Sequence, residues 1–510
     1  MPIMYMPVES VVDELARESE PIAIATSPLR LTAFVLLLCA APLYEAFRVA
    51  AFASGDIWWH LRTGLWILKN HAAPLQGLFS QNLNSRWIDS AWGFEVLVAA
   101  AYKLLGLRSI SLLLMLFKLA LGAMTFLMAG GWRRNFWSAL LLSAAVQYIL
   151  LDLPLLPIVC SILCFGIELI LLLESRRQSD ARYLYWLPPL FFLWANLDVQ
   201  FVNGLFLLAL FMAADITERS LRIAGVSPFP SHGYSLAKTA ATAVLSLAAT
   251  LLTPYSFHLF PEALESAYGH VPFKFFSDMA ALAFRQSQDF VLLLLVMAAF
   301  LALGRQRSRD LFKCAVMIFS VMLAFRVARD VWCAALPAIA IIAGALPKGP
   351  REGEALNSGE ARKFDKPLVL ALCLTLVLLA FARIPSDEIL LKRASRTLPI
   401  KACDFIRANQ LPAPVFNSYA WGGFLIWYLP EYPVAMDGRL SLYGRQASEQ
   451  YFDMMSGTVR LENNPVFVRA RTLLLEQNSG LAKALTTLPV LRSQFSVVYQ
   501  DHLAVVLVRK

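Results

Sequence analysis

Leu31–Gly64 reads LTAFVLLLCAAPLYEAFRVAAFASGDIWWHLRTG. Its first part, Leu31 to Ala53, is an apolar run long enough to cross a bilayer, for which a helix needs roughly 20 residues. The run is too long for the apolar core of a signal peptide, and residues 1–29 before it carry DELARESE in place of a basic region. It therefore reads as a first transmembrane helix. From Ser54 the chemistry changes, and Asp56, Trp58, Trp59, His60 and Arg62 crowd into one short stretch at the end of the span.

The rest of the chain follows the same reading. It has 510 residues, of which 58% are hydrophobic and 16% charged, a composition suited to a multi-spanning membrane protein. The formal charge of +9, from 45 Lys and Arg against 36 Asp and Glu, fits basic residues retained on a cytoplasmic face. No basic stripe interleaved with aromatics is present, so nucleic acid is not an expected partner. Of the seven cysteines only Cys403 lies in a polar region, so no disulfide framework is implied. Cys160 and Cys164, one turn apart in IVCSILCF, read as core packing in the absence of a nearby His or Cys cluster.

Further apolar segments lie near 92–106, 109–130, 136–151, 154–173, 184–197, 200–214, 236–253, 289–304, 314–327, 331–346 and 367–383, twelve with the first. The basic loops ESRRQSDAR (174–182), TERSLR (217–222), GRQRSRDLFK (304–313) and KGPREGEALNSGEARKFDK (348–366) belong inside by the positive-inside rule. That places 55–91, the turn near Asp198, 254–288, the turn near Arg329 and everything after about 384 outside. An inside N-terminus and an outside C-terminus need an odd number of crossings, about 11, with 92–106 the candidate that does not span. The expected fold is mainly α: a polytopic transmembrane helix bundle over 31–384, preceded by a cytoplasmic tail (1–30) and followed by a small α/β extracytoplasmic domain (385–510). In that domain APVFNSYAWGGFLIWYL reads as a strand, a turn and an amphipathic segment, and YPVAMDGRLSLYG as a strand ending in a polar turn. RTLLLE reads as a short strand and FSVVYQDHLAVVLVRK as a terminal hairpin turning near Asp501–His502.

Four constellations could carry chemistry. In the first outer loop Asp56 sits at the helix end, where a carboxylate walled by lipid and protein is suited to act as a general base. Trp58, Trp59, Trp66, Trp87 and Trp92 could anchor the loop in the interface or stack on a sugar ring, and RWIDSAWGFE adds Asp89 and Glu95 as acids that could share a site. The plainer alternative is an aromatic belt with an ordinary helix-terminal acid. The second constellation is charge within spans: Glu45 and Arg48 are spaced to pair on one helix face, and Glu168 lies in FGIELILLL. The third is AFRVARDVW, whose Arg326 and Arg329 suit a phosphate or pyrophosphate, or else anchor the interface. The fourth is LWANLDVQFVNG, where Asn196, Asp198, Gln200 and Asn203 interrupt an apolar stretch as a broken helix lining a cavity would. In the outer domain, Asp437 and Arg439 stand at a strand end, a frequent ligand position and equally an ordinary polar turn. No Walker A motif, dinucleotide fingerprint, zinc motif or nucleophile elbow is present, and Gly422–Gly423 alone is too weak for a phosphate loop.

The order GDIWWHLRTGLWIL, RWIDSAWGFEVL, LWANLD, LLTPYS and RVARDVW, closing on VFNSYAWGGFLIWYLPEYPVAMDGRLSLYG, resembles a group of bacterial multi-spanning proteins related to the GT-C glycosyltransferases. The resemblance implies a GT-C-like bundle in the bacterial inner membrane with its C-terminal domain in the periplasm. It implies an enzyme that moves a sugar from a polyprenyl-phosphate donor to a glycan, lipid or protein acceptor, inverting the anomeric carbon. Carried over by position, Asp56 is the catalytic base and Asp89 its neighbour, while Arg326 and Arg329 meet the carrier phosphate. Trp59, His60, Arg62 and Asp198 become substrate contacts. No cofactor or metal site is assigned, a divalent cation being the one candidate. The chain departs from its relatives where Ser90 and Ala91 replace a His and an acid, and where Asp198 replaces a His. Two other classes stay open: a transporter or flippase of lipid-linked precursors, which would need repeated halves, and a non-catalytic envelope assembly protein.

Overall fold

The computed structural model describes residues 28–48, 55–81, 85–133, 135–226, 229–230, 233–268, 279–347, 366–457 and 461–510. Most of the N-terminal tail, Ser54 and nearly all of the basic loop 348–366 lie outside these residues. The membrane part is built from α1 (Pro28–Arg48), α2 (Asp56–Asn70), α3 (Trp92–Leu105), α4 (Arg108–Met128), α5 (Phe136–Ile149), α6 (Ile158–Gln178) and α7 (Leu187–Leu197). It continues through α8 (Phe201–Ile223), α9 (Leu236–Ala249), α10 (Leu259–Tyr268), α11 (Ser287–Arg305), α12 (Leu311–Arg326), α13 (Trp332–Ala345) and α14 (Lys366–Ala382).

Five helices among the described residues are long and apolar enough to cross a membrane: Arg108–Met128, Ile158–Gln178, Phe201–Ile223, Ser287–Arg305 and Ala328–Ala345. Phe136–Ile149, Leu236–Ala249 and Ala371–Ala382 are apolar but shorter. Phe136–Ile149 and Leu236–Ala249 are shorter than the roughly 20 residues that a perpendicular span needs. The α3 helix, 14 residues long, is not among the five.

Buried ion pairs tie the bundle at two places. Lys118 of α4 donates to Glu45 of α1 and to the carbonyl of Leu151. Glu45 thus meets a cation of another helix, and the expected pairing with Arg48 falls on a side chain outside the described residues. Elsewhere Arg176 of α6 grips both carboxylate oxygens of Glu218 of α8 at 2.7 Å and lies 3.1 Å from Asp310, which caps α12. Residues from three of the basic loops thereby meet at one end of the bundle.

After α14 the chain forms α15 (Asp387–Ala394), α16 (Ile400–Ala408), β1 (Val415–Asn417), α17 (Tyr419–Tyr428), α18 (Leu440–Tyr443) and α19 (Arg445–Met455). β2 (Thr472–Glu476), β3 (Phe495–Gln500) and β4 (Ala504–Arg509) complete a four-stranded sheet of order β1-β2-β4-β3. β1 runs parallel to β2, and the terminal hairpin pairs antiparallel with it through β4. Asp501 fixes the hairpin turn by accepting the backbone N–H groups of Leu503 and Ala504. The expected strand in YPVAMDGRLSLYG is absent. Val434 instead makes one parallel bridge with Ser80 of the first outer loop, and the chain then turns at Asp437 into α18.

The C-terminal domain (385–510) packs against residues 55–91. Val434 donates to the Phe79 carbonyl and accepts from the Gln81 backbone, both at 3.0 Å, while Gln81 Nε2 reaches the Val415 carbonyl at 2.8 Å. α17 crosses the start of α2 so closely that a Cβ on Gly423 would lie 2.2 Å from the Gly55 carbonyl oxygen. Trp58 of α2 then packs on Phe424 and Trp427 of α17, with ring centroids 5.3 and 4.7 Å away. Of the paired glycines of AWGGF, Gly423 thus serves the helix crossing, while Gly422 lets the Met436–Asp437 turn come close, a Cβ there lying 2.1 Å from the Met436 carbonyl oxygen.

Candidate active site

Asp56, Trp59, His60 and Thr63 occupy positions i, i+3, i+4 and i+7 of α2, so they share one face. Asp56, half-buried, opens the helix, and its Oδ1 accepts from Trp59 Nε1 at 3.3 Å. The Trp59 ring lies over His60, centroids 3.6 Å apart, and His60 meets Phe94 edge to face. This face turns towards α3, whose first turn comes close because Gly64 has no side chain: a Cβ there would sit 2.0 Å from the Glu95 carbonyl oxygen. The approach brings Glu95 Oε1 to 2.8 Å from His60 Nδ1.

Asp89, on the turn before α3, is 2% exposed and accepts the Ala91 N–H through Oδ1 at 3.1 Å. Its carboxyl lies within hydrogen-bonding reach of Glu95, which is fully buried. Burial pushes both acids upward, Glu95 well above the ordinary glutamate range because the Asp89 charge adds to it. Burial, helped by the Arg439 charge, holds His60 down at about 3.

The outer domain closes the site. The Asp437 carboxylate accepts from the backbone N–H, Nε and Nη2 of Arg439 at 2.9, 2.9 and 2.8 Å, and from the Tyr443 hydroxyl at 2.6 Å. Arg439 Nη1 donates to the Leu78 carbonyl at 2.7 Å. The guanidinium lies 4.7 Å from the Trp87 ring centre and 5.9 Å from that of Trp59. Burial alone would raise the pKa of Asp437, but the Arg439 charge and its hydrogen bonds hold it below the usual aspartate value. Between them Gly438 presses on the start of α2: a Cβ there would be 1.9 Å from Asp56 Oδ1 and 3.0 Å from Trp59 Nε1.

Asp56, Trp59, His60, Asp89, Asp437 and Arg439 are therefore neighbours, although the first and last are separated by most of the chain. Arg62 lies apart from them, its guanidinium 5.6 Å from the Phe79 ring centre and its Nε without a hydrogen-bond partner among the described residues. Asp198 and Arg329 belong to a second cluster. Asp198, at the end of α7, accepts from Ser161 of α6, which in turn accepts from Trp194 Nε1. Arg329 pairs with Asp330 at 3.4 Å, Gln200 donates to Asp330, and the Arg329 charge acts on Asp198. Burial lifts Asp198 to about 6 despite the Ser161 bond and the Arg329 charge. Arg326 ends α12 beside this cluster and is exposed. Trp92 Nε1 of α3 donates to Asn196 Oδ1 of α7 at 3.0 Å.

Tyr443 and Gly438 carry no signal as site residues in the sequence, Trp87 reads there only as one of five loop tryptophans, and Glu95 only as a second acid. The sequence reads 55–91 as a loop, whereas Asp56–Asn70 is helical, and nothing local links residue 438 to residue 56. No group of three or more His, Cys, Asp or Glu residues among the described residues is arranged to hold a metal ion.

No protein-family model and no curated protein sequence matches the chain. Among solved structures it is similar to the Archaeoglobus fulgidus oligosaccharyltransferase tethered with an acceptor peptide containing the NVT sequon, at a TM-score of 0.54 and 11% identity, covering 92% of this chain and 72% of that one. A second structure is the archaeal oligosaccharyltransferase of the same organism in complex with an inhibitory peptide and a dolichol-phosphate, at a TM-score of 0.48 and 10% identity, covering 90% and 72%. The likeness to the first is one of fold.

Proposed function

We propose that the chain is an inverting glycosyltransferase of a bacterial inner membrane, with a cytoplasmic N-terminus and the domain 385–510 in the periplasm. It takes a sugar from a polyprenyl-phosphate donor and moves it to an acceptor hydroxyl on the outer face, within a bundle spanning 31–384 and a first outer loop at 55–91. Asp56 accepts the hydroxyl proton as the acceptor oxygen bonds to the anomeric carbon and the carbon–oxygen bond to the carrier phosphate breaks. Trp59 and Trp87 flank the sugar, and Arg326 and Arg329 neutralise the leaving phosphate. Asp198 and Arg62 are further donor contacts.

The observation that carries this reading is the setting of Asp56. It is a half-buried carboxylate at the first turn of α2, walled by Trp59, on a fold shared with an oligosaccharyltransferase. The test is Asp56→Asn in lipid nanodiscs with a radiolabelled polyprenyl-phosphate sugar. The expected outcome is loss of transfer with an unchanged unfolding temperature, and full transfer by the variant would remove Asp56 as the base. One observation favours a non-catalytic assembly role instead: Gly438 of the outer domain already covers Oδ1 of Asp56. Copurification of a polyprenyl-phosphate sugar, read by lipid mass spectrometry, decides for the enzyme.

A further inference from the structure

Two buried carboxyl groups meet beside His60, and their hydrogen bonds can be counted atom by atom. Asp89 Oδ1 accepts the Ala91 N–H, and Glu95 Oε1 faces His60 Nδ1 at 2.8 Å. The remaining oxygens, Asp89 Oδ2 and Glu95 Oε2, are buried and have no donor. Yet the two side chains are within hydrogen-bonding reach of each other. Two carboxylates cannot satisfy one another, because an ionised carboxylate only accepts. A single proton between Oδ2 and Oε2 satisfies both.

We propose that Asp89 and Glu95 hold one proton between them, and that Glu95 thereby fixes His60 as the Nδ1–H tautomer. Glu95 is then a positioning residue, and Nε2 of His60 is an unprotonated hydrogen-bond acceptor one turn from Asp56 on the same face of α2.

The surrounding charges support this count. The nearest cation, Arg439, directs Nε and Nη2 to Asp437 and Nη1 to the Leu78 carbonyl, so its charge is already matched by Asp437. The Tyr443 hydroxyl is spent on Asp437 and the Tyr255 hydroxyl on the Pro74 carbonyl. No other donor among the described residues is bonded to the acid pair, and two ionised acids would face each other in a site nearly closed to water. The direction of each shift agrees: Glu95 is driven up by burial and then by the Asp89 charge, and His60 is held neutral by burial. The His60 ring is clamped between Trp59 and Phe94, and among the described residues it makes one hydrogen bond, through Nδ1. Asp56 and Nε2 of His60 thus form a pair of acceptors suited to neighbouring hydroxyls of one sugar or acceptor alcohol. That last role rests on the transfer reading, whereas the proton count and the tautomer do not.

The test uses the full chain in nanodiscs with ¹⁵N-labelled histidine, the His60 signal being identified by its loss in His60→Gln. The wild type is expected to show a neutral ring with the proton on Nδ1 at pH 7. Glu95→Gln should keep that tautomer, because the amide oxygen accepts from Nδ1–H while its N–H₂ donates to Asp89 in place of the shared proton. Glu95→Leu should release the ring to mixed tautomers. An Nε2–H or doubly protonated ring in the wild type, or loss of the tautomer in Glu95→Gln, overturns the proposal.

Thermal unfolding against pH is an independent reading. The folded pair keeps a proton that the unfolded chain releases near the ordinary glutamate value of 4.5, so its contribution to stability is complete below that pH and falls as pH rises. Glu95→Gln should flatten this fall, and equal slopes in wild type and variant overturn the shared proton. Because neither readout uses transfer activity, a failure of the Asp56→Asn prediction with both readouts as expected would sink the enzyme reading alone.

Discussion

A methyl group added at Gly438 is the most direct probe of how the outer domain meets Asp56. The added Cβ would lie 1.9 Å from Oδ1, 2.8 Å from Cγ of Asp56 and 3.0 Å from Trp59 Nε1. A carbon–oxygen contact tolerates little less than about 3.3 Å, so about 1.4 Å must be found. Gly438 does not occupy the left-handed backbone region, so an alanine there meets this steric conflict and no strain of its own. Either Asp56 swings away from Trp59, or the turn retreats and draws Arg439 off Trp87 and the Leu78 carbonyl. Overpacking of this kind costs about 1–3 kcal/mol. A displacement of about 1 Å at the reacting carboxylate lowers transfer by roughly 100-fold. Gly344→Ala is the matched control: it lies inside α13, its Cβ would meet nothing within 4 Å, and helix propensity makes the change neutral or stabilising. The two variants are compared for unfolding temperature and for transfer of labelled sugar in nanodiscs. Gly438→Ala is expected to lose both while Gly344→Ala keeps both. Wild-type stability and transfer in Gly438→Ala would refute the packing of residue 438 on Asp56.

Three further outcomes follow from buried charges. Arg439→Ala leaves Asp437, which is fully buried, without its ion-pair partner, and should lower stability by about 3–5 kcal/mol by thermal unfolding. Lys118→Met should be similarly costly, about 3–5 kcal/mol, by stranding Glu45, and the double variant Lys118→Met/Glu45→Leu should recover most of the loss. Asp198 has its folded pKa raised by burial from 3.8 to about 6, so its contribution is complete below about pH 4 and is lost as pH rises through 6. Asp198→Asn should flatten the unfolding temperature across that window, and an unchanged slope would remove the buried titration.

The sequence carried the bundle and the outer sheet because both rest on local patterns. Apolar runs mark helices, and the alternation in FSVVYQDHLAVVLVRK places the β3–β4 hairpin with its turn at Asp501. The same local logic could not supply Lys118 as a partner of Glu45, because it comes from another helix 73 residues further along the chain. It also misread YPVAMDGRLSLYG, whose pairing partner is Ser80 of the first outer loop and lies outside any local window. The helical spacing of α2 puts Asp56, Trp59 and His60 on one face. The contacts that complete the site, Glu95 on His60 and Gly438 on Asp56, arise where α3 and the outer domain arrive at α2. Those arrivals depend on Gly64 and Gly423, whose significance is the absence of a side chain and leaves no local signal.

Charge accounting then separates the arginines by what they can still do. Arg439 spends Nε and Nη2 on Asp437 and Nη1 on Leu78, is 3% exposed, and stacks on Trp87, so it holds the outer domain against the first loop. Arg329 makes one long contact, 3.4 Å to Asp330, and keeps 24% of its side chain exposed. On the transfer reading a leaving phosphate needs a cation with uncommitted donors, and Arg329 fits that need better than Arg439. Asp56 and His60 stand on α2, and Arg326 and Arg329 at the end of α12 and just after it. On that reading the lipid-linked sugar has its phosphate at Arg329 and its anomeric carbon towards Asp56. Shortening Arg329 to Lys should then weaken donor binding, read as a higher KM for the lipid-linked sugar, while the same change at Arg439 should lower stability through the loss of the two-pronged Asp437 pair. An Arg329→Lys enzyme with an unchanged KM would place the phosphate elsewhere.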